Sequence, residues 1–260
     1  MKHLVIDGAK WAYDAQGSGP SLLLIHGFPL DRRLWSSLAA ELAPRFRVVT
    51  VDLPGFGQST LGSGFTMESL GDGLAEFAKS LSLGKFFVAG LSMGGYASLA
   101  LASQHMADLA GLALVDTKAT ADTPEQKAGR NKMIELVRTK GSKAVAAEML
   151  GKMLSVDTIR QSPQTVRDLQ DMMEAVAPKT IETALAAMRE RADYVNLLPK
   201  LTVPLKIIVG QDDVIAPPAL AETIRAAAPG SQLFVIPGAG HLAPLEQPKL
   251  VADALRTFLA

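Results

Sequence analysis

Phe86-Phe87-Val88-Ala89-Gly90-Leu91-Ser92-Met93-Gly94-Gly95 joins an apolar run to the helix-like stretch from Tyr96 to Met106. A short buried strand, a sharp turn and a helix form the setting of a nucleophile elbow, in which a strained central serine is held with its hydroxyl exposed. Strand and helix close around such a turn only where the residues two before and two after the serine lack bulk. Gly90 and Gly94 meet that need, and Ser92 is the candidate nucleophile.

Outward from this segment the chain alternates between two patterns. Leu22-Ile25, Val48-Val51, Phe86-Ala89, Leu112-Val115, Lys206-Val209 and Leu233-Ile236 are near-continuous apolar runs, as expected of strands covered on both faces. Helical periodicity falls near Leu34-Ala43, Met67-Leu81, Gly95-Met106, Ala219-Ala227 and Leu250-Leu259. The alternation predicts an α/β fold with a mostly parallel, doubly wound sheet flanked by helices. Before it, His3 to Tyr13 reads as a hairpin turning at Asp7-Gly8, a dipeptide that favours positive φ.

One region breaks the pattern. Residues 118–200 show helical segments, Gln126-Arg138, Lys143-Leu154, Gln164-Ala175 and Thr180-Arg191, punctuated by Pro163, Pro178 and Pro199, and no strand. This predicts a helical cap, residues 118–200, inserted into a core domain made of residues 1–117 and 201–260. The insert leaves the sheet at the carboxyl end of the strand ending at Val115, the edge where open α/β sheets bind ligands. The cap is therefore expected to roof the site.

Composition narrows the partner. The 260 residues are 48% hydrophobic, enough to bury a sizeable core. Lys plus Arg and Asp plus Glu balance at 26 each, so no long-range field recruits nucleic acid or an anionic membrane, and a small molecule is the expected partner. The absence of cysteine removes disulfides, thiolate catalysis and cysteine-ligated metals. The N-terminal apolar run ends after three residues and no run reaches the ~18 needed to span a bilayer, so cytoplasmic residence is the default expectation. The four histidines are scattered, which gives no cluster for a metal.

A serine hydroxyl is a poor nucleophile until an imidazole accepts its proton, and that imidazole needs a carboxylate to fix its tautomer. His3 lies in the hairpin and His105 at the far end of the helix after Ser92. His26 ends the strand Leu22-Ile25. For the chain order serine, acid, histidine that the elbow implies, His241 is the candidate base, in the loop Gly238-Ala239-Gly240-His241 after the last strand. The acid should leave another strand end. Asp213 is favoured over its neighbour Asp212, whose alternative role is a turn or helix cap, and Asp116 ranks third. An oxyanion is best held by fixed backbone donors. The N–H of Met93 follows the nucleophile at a helix N-terminus, and the N–H of Phe28 is offered beside Gly27, whereas Pro29 has none.

These residues resemble those of the α/β-hydrolase superfamily along nearly the whole chain. His26-Gly27-Phe28-Pro29 resembles its oxyanion motif, Asp52-Leu53-Pro54-Gly55-Phe56-Gly57-Gln58-Ser59 its D-x-P-G-x-G-x-S loop, and Gly90 to Gly95 its elbow. Gly210-x-x-Asp213 and Gly240-His241 resemble the acid and base segments. The resemblance implies the α/β-hydrolase fold, Asp213 as the acid, structural roles for Asp52 and Ser59, and a bracing role for His26 on the oxyanion loop. Phe28-Pro29, Met93 and the segment Gly240 to Pro248 are most similar to bacterial carboxylesterases, enol-lactonases and cofactor-free perhydrolases.

The resemblance implies a serine hydrolase that cleaves small carboxylic esters or lactones through an acyl-enzyme and uses no cofactor. Its rivals are a perhydrolase, in which peroxide replaces water, and a hydrolase-like ligand receptor with slow turnover. Six of the ten methionines, Met133, Met149, Met153, Met172, Met173 and Met188, fall in the insert and are expected to build an adaptable pocket roof, the alternative being that they fill its interior. Eight Lys/Arg against four Asp/Glu between Lys118 and Lys152 mark Arg130 or Arg138 as candidates to meet a carboxylate on a substrate.

Overall fold

The computed structural model describes residues 1–257. Strands β1 (Lys2–Ile6) and β2 (Ala9–Gln16) form the expected hairpin, and its turn residues Asp7 and Gly8 take φ values of 47° and 73°. The remaining strands are β3 (Ser21–Ile25), β4 (Arg47–Val51), β5 (Phe86–Leu91), β6 (Leu109–Val115), β7 (Leu205–Gly210) and β8 (Gln232–Ile236). They form one sheet in the order β1-β2-β4-β3-β5-β6-β7-β8. β2 pairs antiparallel with β1 and β4, and every pairing from β4 to β8 is parallel. The carboxyl ends of β3, β5, β6, β7 and β8 therefore open on one edge, the edge where doubly wound sheets place ligands.

Adjacent residues of β3 divide the interior. Leu22 and Leu24 point into a core shared with α1 (Ser36–Leu42) and α10 (Pro248–Arg256), while Leu23 and Ile25 join the core under α2 (Met67–Ser80), α3 (Met93–His105) and α8 (Pro218–Ala227). Burial on both faces explains why the central strands read as unbroken apolar runs; β8, at the sheet edge, departs from that expectation, with Val235 46% exposed. The helix predicted from Leu34 opens instead as a tight turn over Arg32–Trp35, because the Asp31 carboxylate accepts from the Arg33 N–H and starts the helix early. The predicted end of the last helix at Leu259 lies outside the described residues.

Between β6 and β7 run α4 (Pro124–Met153), α5 (Val156–Gln161), α6 (Pro163–Glu174) and α7 (Pro178–Glu190). α4 joins the two predicted segments at Gly141, whose φ of 76° breaks the helical path between them. α5 was not legible in the sequence, since six residues give too short a period to recognise. Among the described residues no helix is long and apolar enough to cross a membrane.

The insert has no separate interior. Val137, Leu185 and Met188 enter one core of the sheet, and Met153, Leu169, Met172 and Met173 the other. This corrects the expectation of a methionine roof. Met153, Met172, Met173 and Met188 are buried in packing, and of the six only Met133 and Met149 line the cavity described below.

Candidate active site

Ser92 stands at the break between β5 and α3, with φ 52° and ψ −113°. A non-glycine residue in that region is strained, and strain of this kind persists only where the surroundings hold it. They do so here. The Ser92 N–H donates to Val115 O at 2.9 Å, and its carbonyl accepts from Gly95 N at 2.9 Å and from the Thr117 hydroxyl at 2.8 Å. A Cβ at Gly90 would meet the Gly94 carbonyl, and one at Gly94 would meet the carbonyl of Ile25, so the crossing admits only glycine at both places. From residue 88 to residue 102, Ser92 alone is not buried.

The candidate acid and base come from neighbouring strand ends. Nδ1 of His241 lies 2.8 Å from Oδ2 of Asp213, and the two residues are 2% and 3% exposed. The other Asp213 oxygen accepts from the N–H groups of Ile215 at 2.7 Å and Ala216 at 2.9 Å, which fixes the carboxylate plane. Asp212 is exposed and occupies the turn, its N–H bonded to Ala239 O at 2.8 Å. It does not cap α8, which starts behind Pro217. Asp116, the third candidate, accepts from Gly210 N and Ala243 N, and burial together with the Asp213 carboxylate pushes its own carboxyl well above the usual range.

Two further groups hold the loops. Glu246 accepts from Gly240 N and from Ser155 N, both at 2.8 Å, and so ties the segment before His241 to the insert. His26 is fully buried. Its Nε2 accepts from Leu53 N at 3.0 Å, which leaves Nδ1 to carry the proton and donate to Gly27 O at 2.8 Å. Asp52 accepts from the backbone N–H groups of Arg32 and Gln58, both at 2.8 Å, and the Ser59 hydroxyl donates to Asp52 O at 2.7 Å. Asp52 thus ties its loop to Arg32 after β3, and Ser59 ties it to β2 by accepting from Ala12 N at 2.8 Å.

Phe28, Ser92 and His241 line one cavity of about 330 Å³, a size suited to a small organic molecule. Phe28 follows β3 and Met93 opens α3, where the first N–H groups have no partner within the helix. Among the described residues neither N–H has a backbone acceptor outside its own element. Tyr96, Met133, Met149, Leu185 and Ile215 supply apolar wall, while Lys118, Asp122, Gln126 and Arg130 supply polar wall. Arg130 therefore faces the cavity, but Arg138 does not: it pairs with Glu182 on the outer face. Lys118 and Asp122 were not singled out from the sequence. A lysine just past the carboxyl end of the strand preceding the insert was the available signal. Among the described residues, no group of three or more His, Asp or Glu side chains is placed to hold a metal ion.

Residues 22–254 match the model of the alpha/beta hydrolase family. The solved structure of a thermophilic esterase from Thermogutta terrifontis, with malate bound, is similar at a TM-score of 0.96 and 39% identity, covering 100% of this chain and 98% of that one. The enol-lactonase of Burkholderia xenovorans LB400 is similar at a TM-score of 0.92 and 25% identity, with 99% of each chain covered. A pimeloyl-[acyl-carrier protein] methyl ester esterase of Neisseria meningitidis is 30% identical over 242 residues, which are 91% of this chain and 75% of that protein. Esterases and an enol-lactonase are the group that the motifs resemble.

Proposed function

The chain belongs to the alpha/beta hydrolase family, and from that membership we propose that it hydrolyses small carboxylic esters or lactones through an acyl-enzyme on Ser92. The observation that carries the reading is the buried His241–Asp213 hydrogen bond of 2.8 Å, at a cavity lined by both His241 and Ser92. The esterase and lactonase relatives support the ester bond as the target.

In this mechanism the Ser92 hydroxyl attacks the ester carbonyl and passes its proton to Nε2 of His241. Asp213 holds the proton on Nδ1, so Nε2 presents a lone pair, and it stabilises the imidazolium that forms. The N–H groups of Phe28 and Met93 receive the developing oxyanion without reorganisation. His241 then protonates the leaving alcohol, and a water activated by the same imidazole releases the acid. The strained turn serves this chemistry by lifting the hydroxyl clear of the sheet. On this reading residues 118–200 act as a cap on a core of residues 1–117 and 201–260.

Ser92→Ala tests it. The variant should lose hydrolysis of p-nitrophenyl acetate and labelling by a fluorophosphonate while keeping its circular dichroism. Retained labelling or substantial turnover in that variant would falsify the nucleophile assignment.

A further inference from the structure

The cavity that holds Ser92 and His241 also holds an imbalance of charge. The Asp122 side chain is 1% exposed and lies 3.1 Å from Nζ of Lys118, 3.1 Å from Nε of Arg130 and 2.9 Å from the Arg191 guanidinium. Three cations share one carboxylate. The other acid and base on the wall, Glu148 and Lys152, pair with each other at 3.3 Å and leave the excess uncorrected. Keeping unpaired positive charge out of water is costly, and the cost falls when an anion enters.

The three cations are not equivalent. Arg191 is occupied behind the wall, donating to Met188 O at 2.7 Å and Thr120 O at 2.8 Å and lying 4.0 Å from the centre of the Tyr96 ring. Lys118 and Arg130 line the cavity itself. Nζ of Lys118 gives two of its three N–H bonds, to Asp122 and to Gln126 Oε1 at 2.6 Å. Arg130 bonds Asp122 through Nε, and among the described residues its terminal amino pair has no acceptor, leaving free the edge that suits a bidentate carboxylate. Burial and the neighbouring Arg191 push the Lys118 ammonium below the ordinary lysine range, a tension that a second anion relieves. Lys118 also follows Thr117, whose hydroxyl is bonded to the carbonyl of Ser92, so the charged wall begins beside the nucleophile.

We propose that Lys118 and Arg130 form a carboxylate-binding subsite in this cavity, and that the preferred substrates are esters or lactones bearing a second, ionised carboxylate. The inference rests on the ester-hydrolase reading above and names its substrate class. The carboxylate has two possible sources, the acyl part or the alcohol part of the ester.

Gln126→Glu gives the cleanest test. Gln126 is the N3 residue of the capping box that starts α4, and glutamate caps equally well, so the change adds one carboxylate beside Lys118 without removing packing. The measured quantity is the ratio of kcat/KM for an anionic ester to that for its neutral counterpart. Monomethyl glutarate against methyl pentanoate probes the acyl side, and O-acetyl glycolate against ethyl acetate probes the alcohol side. The native chain should favour the anionic member of one pair by roughly tenfold or more, mainly through KM, and Gln126→Glu and Lys118→Met should each bring that ratio towards one. Equal rates within both pairs in the native chain overturn the proposal, as does an equal loss on anionic and neutral esters in the variants. Calorimetric binding of glutarate to the Ser92→Ala protein, weakened about tenfold by adding Gln126→Glu, reads the subsite independently of turnover. If Ser92→Ala retains full hydrolysis, the acyl-enzyme reading fails while the glutarate measurement still judges the subsite.

Discussion

The Asp116 carboxylate accepts a hydrogen bond from the Gly210 N–H at 2.7 Å, three residues before Asp213. Its second oxygen accepts from Ala243 N at 3.2 Å, two residues after His241. One buried side chain at the end of β6 thus clasps both the loop of Asp213 and the loop of His241. Asp116 does so with a φ of 45°, a strained backbone for a non-glycine residue. The geometry separates two aspartates that look alike in the sequence: Asp213 meets the imidazole, and Asp116 positions the segments that carry the pair.

Asp213→Asn should lower kcat by on the order of 10⁴, because the amide no longer fixes the productive tautomer of His241. Asp116→Asn keeps only one acceptor oxygen for two buried N–H groups, so it should cost roughly 1–3 kcal/mol of stability with a much smaller loss of turnover. Steady-state kinetics and urea unfolding on both variants check the division. A larger kcat loss for Asp116→Asn, at a temperature where both are folded, would assign the acid to β6 instead.

His26 links the fold to pH. Burial holds its imidazole below the ordinary value of 6.5, partly offset by the Asp52 carboxylate. The unfolded chain therefore takes up that proton first as the pH falls, so the contribution of His26 to stability is complete above pH 6.5 and is lost as pH drops below it. Asp116 runs the other way, since its raised carboxyl keeps a proton in the fold that the unfolded chain has released, and that contribution is lost as pH rises. The net slope mixes both, so the informative measurement is a difference. Between pH 7 and pH 5 the loss of unfolding free energy should be smaller in His26→Gln than in the native protein, by no more than about 1.4 kcal/mol per pH unit. Identical losses in the two proteins count against a neutral, buried His26.

The methionines of the insert should separate into two classes. Met173 is fully buried in the core shared with α1 and α10, and Met173→Ala should cost about 2–5 kcal/mol. Met149 is partly exposed on the cavity wall, so Met149→Ala should cost less and shift ester preference towards longer chains. Urea midpoints and a series of p-nitrophenyl esters distinguish them. An unchanged chain-length profile for Met149→Ala would place the substrate elsewhere.

The alternation of apolar runs and helical periods was enough to read the sheet, because central strands buried on both faces leave an unbroken apolar record and flanking helices such as α2 and α10 a one-sided one, whereas α3 is buried all round from Met93 to Ala102. The elbow was legible for a steric reason: the crossing at Ser92 excludes a Cβ at Gly90 and Gly94, and that exclusion is written as residue identity. Asp213 and His241, singled out by their order after Ser92, meet at 2.8 Å in the fold. What the sequence left open was decided by distances between segments far apart in it. Asp212 and Asp213 are neighbours of identical chemistry, and only the turn decides which one faces His241. The same holds for the methionines, where composition gives chemistry but not whether a side chain meets a core or a cavity. It holds above all for Lys118, Arg130 and Arg191, which occupy separate places along the chain and become a single field only when the fold gathers them around Asp122. Charge acts through space, and the tertiary structure alone sets the separations on which it depends.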